Sequence, residues 1–131
     1  MRKYFGGLKG RSIAIWGLAF KPKTDDMREA PAITIIEELL RDGASVAAYD
    51  PEASRTAQGL FGNRIRICEK GYEALVDADG LAVVTEWNEF REPDFAKMRQ
   101  LLKQPVVFDG RNIYSPSHMR ALGFSYFSIG R

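Results

Sequence analysis

Residues 11–17 read R-S-I-A-I-W-G, a short apolar run closed by a glycine. This pattern predicts a buried strand. A polar stretch, Lys21 to Arg28, follows it and contains Pro22. The next element is a helix that starts near Pro31, since proline is preorganised for a first helical turn. Ile33, Ile36 and Leu40 fall at i, i+3 and i+7, and Ala32, Ile36 and Leu39 at i, i+4 and i+7, which describes one apolar face. Gly43 then makes a natural C-cap. Ala44 to Tyr49 is a second strand, closed by Asp50-Pro51, because proline disfavours helix at the residue before it.

The alternation continues outward from there. Glu52 to Gly59 reads as a short helix, Arg64 to Cys68 as a less apolar strand near an edge, and Tyr72 to Val76 as a helical turn or two. Gly80 to Thr85, G-L-A-V-V-T, is a strand of the continuous apolar kind found at a sheet centre. Trp87 to Phe90 and Asp94 to Leu102 are helical, split by Pro93. Val106 to Phe108 is a fifth strand, Pro116 to Leu122 a last helix, and Phe124 to Phe127 a sixth strand. Such alternation predicts an α/β fold: a three-layer, doubly wound, Rossmann-like sheet of five to six mostly parallel strands, with core order 3-2-1-4-5 and right-handed crossovers. In such sheets ligands sit beyond the carboxyl ends of the strands, where the strand order reverses. The loops Leu18 to Arg28, Glu86 to Glu89 and Asp109 to Tyr114 are therefore the places to look for function.

The 131 residues, 45% hydrophobic and 27% charged, exclude disorder and suit one domain over residues 1–131. Nineteen Lys and Arg against 17 Asp and Glu leave a net charge of +2 with the basic residues dispersed, so no nucleic-acid partner is expected. No apolar run approaches the ~18 to 20 residues of a membrane-spanning helix. Met1 to Lys9 lacks the apolar region of a secretory signal. No membrane partner is expected, and a cytoplasmic location is. The single Cys68 rules out an internal disulfide and multi-thiol zinc patterns, and fits a reducing compartment. With His118 as the lone histidine, multi-His metal sites and most catalytic triads are unavailable. The chain thus lacks much of the usual catalytic equipment and reads as a binding domain or a piece of something larger, with no metal site expected.

The first strand ends in a single glycine, G-L-A-F-K-P, and not in G-x-G-x-x-G, so no pyrophosphate cradle for a dinucleotide is predicted. The loop offers Phe20, whose face can stack on a base, and Lys21, whose ammonium can meet a phosphate or ribose oxygen. Judged by residue type alone, a Phe20 folded under the loop and a solvated Lys21 are the simpler choice. Thr24, Asp25, Asp26, Arg28 and Glu29 suggest local capping and internal ion pairing rather than a magnesium site. In D-G-R-N, Asp109 to Asn112, Gly110 permits a sharp turn and Arg111 suits phosphate oxygens as well as it suits a solvated surface. Trp87 either walls a pocket, anchors an interface or packs in the core. Cys68 reads as a small buried hydrophobe and His118 as a surface residue without a partner.

Residues 13–31, I-A-I-W-G-L-A-F-K-P-K-T-D-D-M-R-E-A-P, resemble the start of the C-terminal, nucleotide-binding domain of the UDP-glucose/GDP-mannose dehydrogenase family. The resemblance continues through Y-D-P (Tyr49 to Pro51), T-E-W (Thr85 to Trp87) and D-G-R-N, and covers essentially the whole chain. The wording G-L-A-F-K-P is most similar to the UDP-glucose 6-dehydrogenase branch. UDP-N-acetylmannosamine and GDP-mannose members, and a stand-alone nucleotide-binding or dimerisation module, are the alternatives. The resemblance implies an enzyme that oxidises UDP-glucose to UDP-glucuronate with two NAD, through a cysteine-bound intermediate. The NAD-binding domain, the central helical region and the catalytic cysteine all lie outside the matched domain, so this chain alone is expected to be inactive and to bind no cofactor. The resemblance further implies that Phe20, Lys21 and Arg111 contact the nucleotide of a UDP-sugar, which for Phe20 and Lys21 reverses the preference drawn from residue types. It assigns Thr24, Asp25, Asp26 and Arg28 to shaping the loop, and implies a homodimer or higher homo-oligomer for the full enzyme.

Overall fold

The protein is represented by a computed structural model that describes residues 2–19, 27 and 30–128. Six strands form one sheet: β1 (Ser12–Trp16), β2 (Ser45–Tyr49), β3 (Arg66–Ile67), β4 (Gly80–Val83), β5 (Val106–Asp109) and β6 (Ser125–Ser128). Their order is β3-β2-β1-β4-β5-β6, and every neighbouring pair is parallel. The expected core order 3-2-1-4-5 is therefore present, and the sixth strand extends it beyond β5. The register sets Trp16 opposite Val83 and Val83 opposite Asp109, so the carboxyl ends of β1, β4 and β5 finish together.

The helices are α1 (Arg2–Phe5), α2 (Pro31–Arg41), α3 (Ser54–Phe61), α4 (Gly71–Leu75), α5 (Phe95–Leu101) and α6 (Pro116–Ala121). Ile36 and Leu39 of α2 and Ala57 and Phe61 of α3 pack with Ile13, Ile15 and Ala48 on one face of the sheet. Leu75 of α4, Met98 of α5 and Met119 of α6 pack with Ala14, Leu81 and Val107 on the other. Side chains along each strand alternate between two apolar cores, which is why the strands read as continuous hydrophobic runs.

Helix α2 starts at Pro31, as the proline signal predicts, and buries Ala32, Ile36 and Leu39. It closes through Gly43, which follows the cap Asp42 with φ +88°, where its N–H donates to the Leu40 carbonyl and that of Ala44 to the Leu39 carbonyl. Two elements differ most from expectation. Strand β3 is shorter than Arg64 to Cys68, because Gly62–Arg64 turns as a 3-10 helix and only Arg66 and Ile67 pair with Ala47 and Ala48. Helix α1 is too short to show a periodic pattern. Its Phe5 packs against Phe108 (6.1 Å between ring centroids) and lies under the Arg11 guanidinium, so tertiary contact supplies what local propensity cannot.

β1 is followed by Gly17, whose φ of +100° lies in the left-handed region and where a Cβ would stand 2.5 Å from the Thr85 amide nitrogen. Replacing Gly17 with alanine is expected to destabilise the fold by about 2–4 kcal/mol, combining backbone strain with a clash against backbone. Urea unfolding checks this. The midpoint should fall with an unchanged slope, whereas a midpoint equal to that of wild type would show that the two loops can part without cost.

Candidate functional site

Strand β2 delivers Asp50 to the carboxyl edge of the sheet, where it is only 2% exposed. Its Oδ2 accepts from the Leu18 N–H (2.7 Å), the Ala19 N–H (3.1 Å) and the Trp87 indole N–H (3.1 Å). Its Oδ1 accepts from the Glu52 N–H (2.8 Å) and the Ala53 N–H (2.7 Å). A buried carboxylate is tolerated only with such donors, and hydrogen bonds to a charged acceptor are the strong ones. One side chain thereby joins the loops that follow β1, β2 and β4. Of the roles open to Trp87, packing is the one observed, with its N–H spent on Asp50. Phe90 is buried as well, stacked on Trp16 at 4.9 Å, so neither ring offers an exposed aromatic anchor.

The T-E-W triplet stands between the loops of β1 and β5, because β4 lies between those strands. Thr85, buried, donates its hydroxyl to the Ala19 carbonyl at 2.8 Å. Glu86 accepts from Arg111 through both oxygens, at 2.5 Å from Nε and 3.0 Å from Nη2. Trp87 completes the set by reaching Asp50. The Arg111 hydrogen bond holds the Glu86 carboxyl below its ordinary range against a smaller opposing effect of burial, and the same bond raises Arg111. Since the folded-state value of Glu86 is depressed, any stability from the pair is present above the ordinary carboxylate range and is lost as pH falls through the lowered value.

A second buried carboxylate organises the D-G-R-N turn. Asp109 accepts from the Arg111 N–H (3.0 Å) on Oδ1, and from the Ile113 N–H (2.8 Å), the Tyr114 N–H (3.1 Å) and the Tyr126 hydroxyl (2.6 Å) on Oδ2. Asn112 takes φ +57°, a left-handed conformation that Asn tolerates. Tyr114 donates its hydroxyl to the Phe90 carbonyl, and burial, followed by the Asp109 charge, raises its phenol. Arg111 is thus carried on a turn whose backbone is fixed from below.

Arg111 also lines a cavity of about 480 Å³ at the carboxyl ends of β4, β5 and β6. Pro31 and Ile35 of α2, Ala82, Phe108 and Phe127 give it apolar walls, with Phe108 and Phe127 stacked at 5.2 Å. An apolar cleft with few polar groups at a sheet's carboxyl edge is the usual form of a small-molecule site.

Phe20 and Lys21, like Thr24, Asp25, Asp26, Arg28 and Glu29, lie outside the described residues. What is fixed is the backbone leading to them, since Ala19 is held by Asp50 at its N–H and by Thr85 at its carbonyl. Cys68 sits just past β3, buried, and burial pushes its thiol up, away from the thiolate a nucleophile needs. His118 is exposed as expected, although it does have a partner, its ring meeting Phe95 edge-on at 5.7 Å. Sequence reasoning quotes Asp50, Thr85, Glu86 and Asp109 within its motifs and loops but gives none of them a role in the site. The available signal was positional, with Asp50 following an apolar strand and Asp109 ending one at the carboxyl edge.

A dinucleotide, which the family resemblance implies for the whole enzyme, does not fit the residues described here. The space that a loop glycine leaves for pyrophosphate is filled by Thr85 against Gly17. The acid after the second strand, which would hold a ribose hydroxyl, has its oxygens taken by five N–H donors.

These features define a doubly wound α/β domain with a cleft at its carboxyl edge. Residues 14–116 match the UDP-glucose/GDP-mannose dehydrogenase family, UDP binding domain, and the chain belongs to that family. It is 47% identical to the UDP-glucose 6-dehydrogenase of Pseudomonas aeruginosa, over 96% of this chain and 29% of that protein. Among solved structures, a UDP-glucose dehydrogenase from Pyrobaculum islandicum superposes with a TM-score of 0.80 at 31% identity, over 96% of this chain and 27% of that one. An NDP-N-acetyl-D-galactosaminuronic acid dehydrogenase from Methanosarcina mazei gives 0.83 at 26% identity, over 99% and 27%. The chain thus spans under a third of the length of these relatives.

Replacing Asp50 with asparagine turns an amide NH2 toward N–H donors and is expected to cost about 3 kcal/mol of stability. Hydrogen exchange on the Leu18 and Ala19 amides provides the readout. Their protection should collapse ahead of the strand amides of β1, and retained protection in a stable variant would contradict the role given to Asp50.

Proposed function

We propose that this chain is the C-terminal, UDP-binding domain of a UDP-glucose 6-dehydrogenase of the cytoplasm. The whole enzyme, a homodimer or higher homo-oligomer, oxidises UDP-glucose to UDP-glucuronate with two NAD held by another domain. In that scheme Arg111 and Lys21 meet the diphosphate and Phe20 stacks against the nucleotide. The observation that supports this most is the placement of Arg111 at the wall of an apolar cavity, on a turn braced by Asp109. Family membership and the names of the relatives supply the nucleotide's identity. Anchoring a nucleotide far from the reacting carbon is useful chemistry, because remote binding energy orients the reacting group. The buried, protonated Cys68 offers no nucleophile for the oxidation itself.

Calorimetric titration of the 131-residue protein with UDP tests the proposal. Binding should be weak, with Kd of about a millimolar, because the facing half of the cleft belongs to another domain. Lys21→Ala and Arg111→Ala should each weaken it by about tenfold. Equal affinity in wild type and the Arg111→Ala variant would remove Arg111 from the site. Mixed with UDP-glucose and NAD, the same protein should produce no NADH, and clear turnover would refute the division of labour.

A further inference from the structure

A guanidinium has two edges that can grip a pair of oxygens, one formed by Nε with Nη2 and one by Nη1 with Nη2. Glu86 takes the first edge of Arg111, at 2.5 Å and 3.0 Å. Among the described residues no other group bonds this guanidinium, so none of them claims the Nη1–Nη2 edge of a side chain that is 39% exposed. Both ends of the pair stand on fixed backbone. Glu86 is flanked by Thr85, pinned to Ala19, and by Trp87, pinned to Asp50. Arg111 has its own N–H on Asp109. Arg111 lines the 480 Å³ cavity, and Glu86 is not among the residues that do.

We infer that Glu86 is a positioning residue for the ligand's phosphate: it clamps Arg111 by one edge so that the other is presented, already ordered, to two phosphate oxygens. This rests on the nucleotide-binding function proposed above. The clamp has a consequence that simple charge does not. Glu86 is an anion near a site for an anion, so on charge alone its removal should tighten binding. If it orders Arg111, its removal loosens binding, because the freed side chain must give up its rotamer freedom when the phosphate arrives. Only the Arg111 guanidinium separates Glu86 from the phosphate, so salt removes little of their repulsion; the intervening cation offsets it, and on this inference ordering sets the sign.

The test is titration with UDP at fixed pH and about 0.15 M salt, followed by the backbone and arginine Nε–H signals in NMR spectra, for wild type, Glu86→Ala, Arg111→Lys and the double variant. Glu86→Ala should weaken UDP binding by about fivefold, and the Arg111 Nε–H signal, sharp in wild type, should broaden or vanish. In the Arg111→Lys background the Glu86→Ala change should have no weakening effect, since an ammonium has no second edge to present. Should Glu86→Ala fail to fold, Glu86→Gln keeps the side-chain volume, offers one acceptor oxygen in place of two, and should weaken binding in the same direction. Unchanged or tighter UDP binding in the folded Glu86 variant overturns the clamp and leaves the nucleotide site standing. Equal weakening in both backgrounds overturns it too, because Glu86 would then not act through Arg111. Failure of wild type to bind UDP at all overturns the proposed function and the clamp with it.

Discussion

Five N–H groups converge on the carboxylate of Asp50, and the shape of the sheet's carboxyl edge follows from that convergence. A carboxylate so thoroughly buried has no water to turn to, so an absent donor would leave charge unsatisfied at a cost of several kcal/mol. Its donors come from the segment after β1, the turn after β2 and the indole after β4. Asp50 cannot be satisfied unless all three segments are in place. The dependence runs in the other direction as well, since the Leu18 and Ala19 amides leave the strand ladder just as the chain turns off β1, and Asp50 takes up both of them.

Asp109 repeats the device three strands along the sheet with backbone donors from its own loop and the hydroxyl of Tyr126. Between the two carboxylates lies the end of β4. Thr85, Glu86 and Trp87 use successive side chains to reach the first loop, the fifth loop and Asp50. Gly17 makes this close approach possible, because any side chain there would occupy the space of Thr85. The loops that face the cleft are therefore braced from beneath by buried polar groups, and the cleft side is left to side chains such as Arg111.

The order of strands was legible because each is a short apolar run bounded by turn residues, and alternation with helices leaves few parallel topologies. Helix α1 was not legible, since its Tyr4 and Phe5 take their support from Phe108, far away in sequence, and from Arg11 beyond the helix end. Within the site, Arg111 could be singled out because Gly110 marks a turn and a guanidinium advertises its chemistry. Asp50 and Asp109 could not. Their partners are mostly backbone N–H groups, which every residue but proline carries and which leave no mark on sequence. Trp87 stayed ambiguous for a related reason, as its partner lies 37 residues away. Glu86 was named only as the start of a loop and within T-E-W, because nothing in the sequence shows that its carboxylate meets Arg111, 25 residues on.

These pairings also account for how this sheet differs from a dinucleotide-binding one. In dinucleotide folds a glycine after the first strand lets backbone amides approach pyrophosphate, and an acid after the second strand holds a ribose. Here the glycine after β1 admits Thr85, and the acid after β2 holds backbone and indole N–H groups. Both positions are used to assemble the edge rather than to recognise a ligand. On the function proposed above, recognition falls to side chains projecting from that edge, and a lone flexible arginine would be a poor instrument for it. Pairing Arg111 with Glu86 sacrifices net positive charge but fixes direction. Direction is the scarcer quantity in a cleft whose described walls are mostly apolar, Phe108, Phe127 and Ile35 among them.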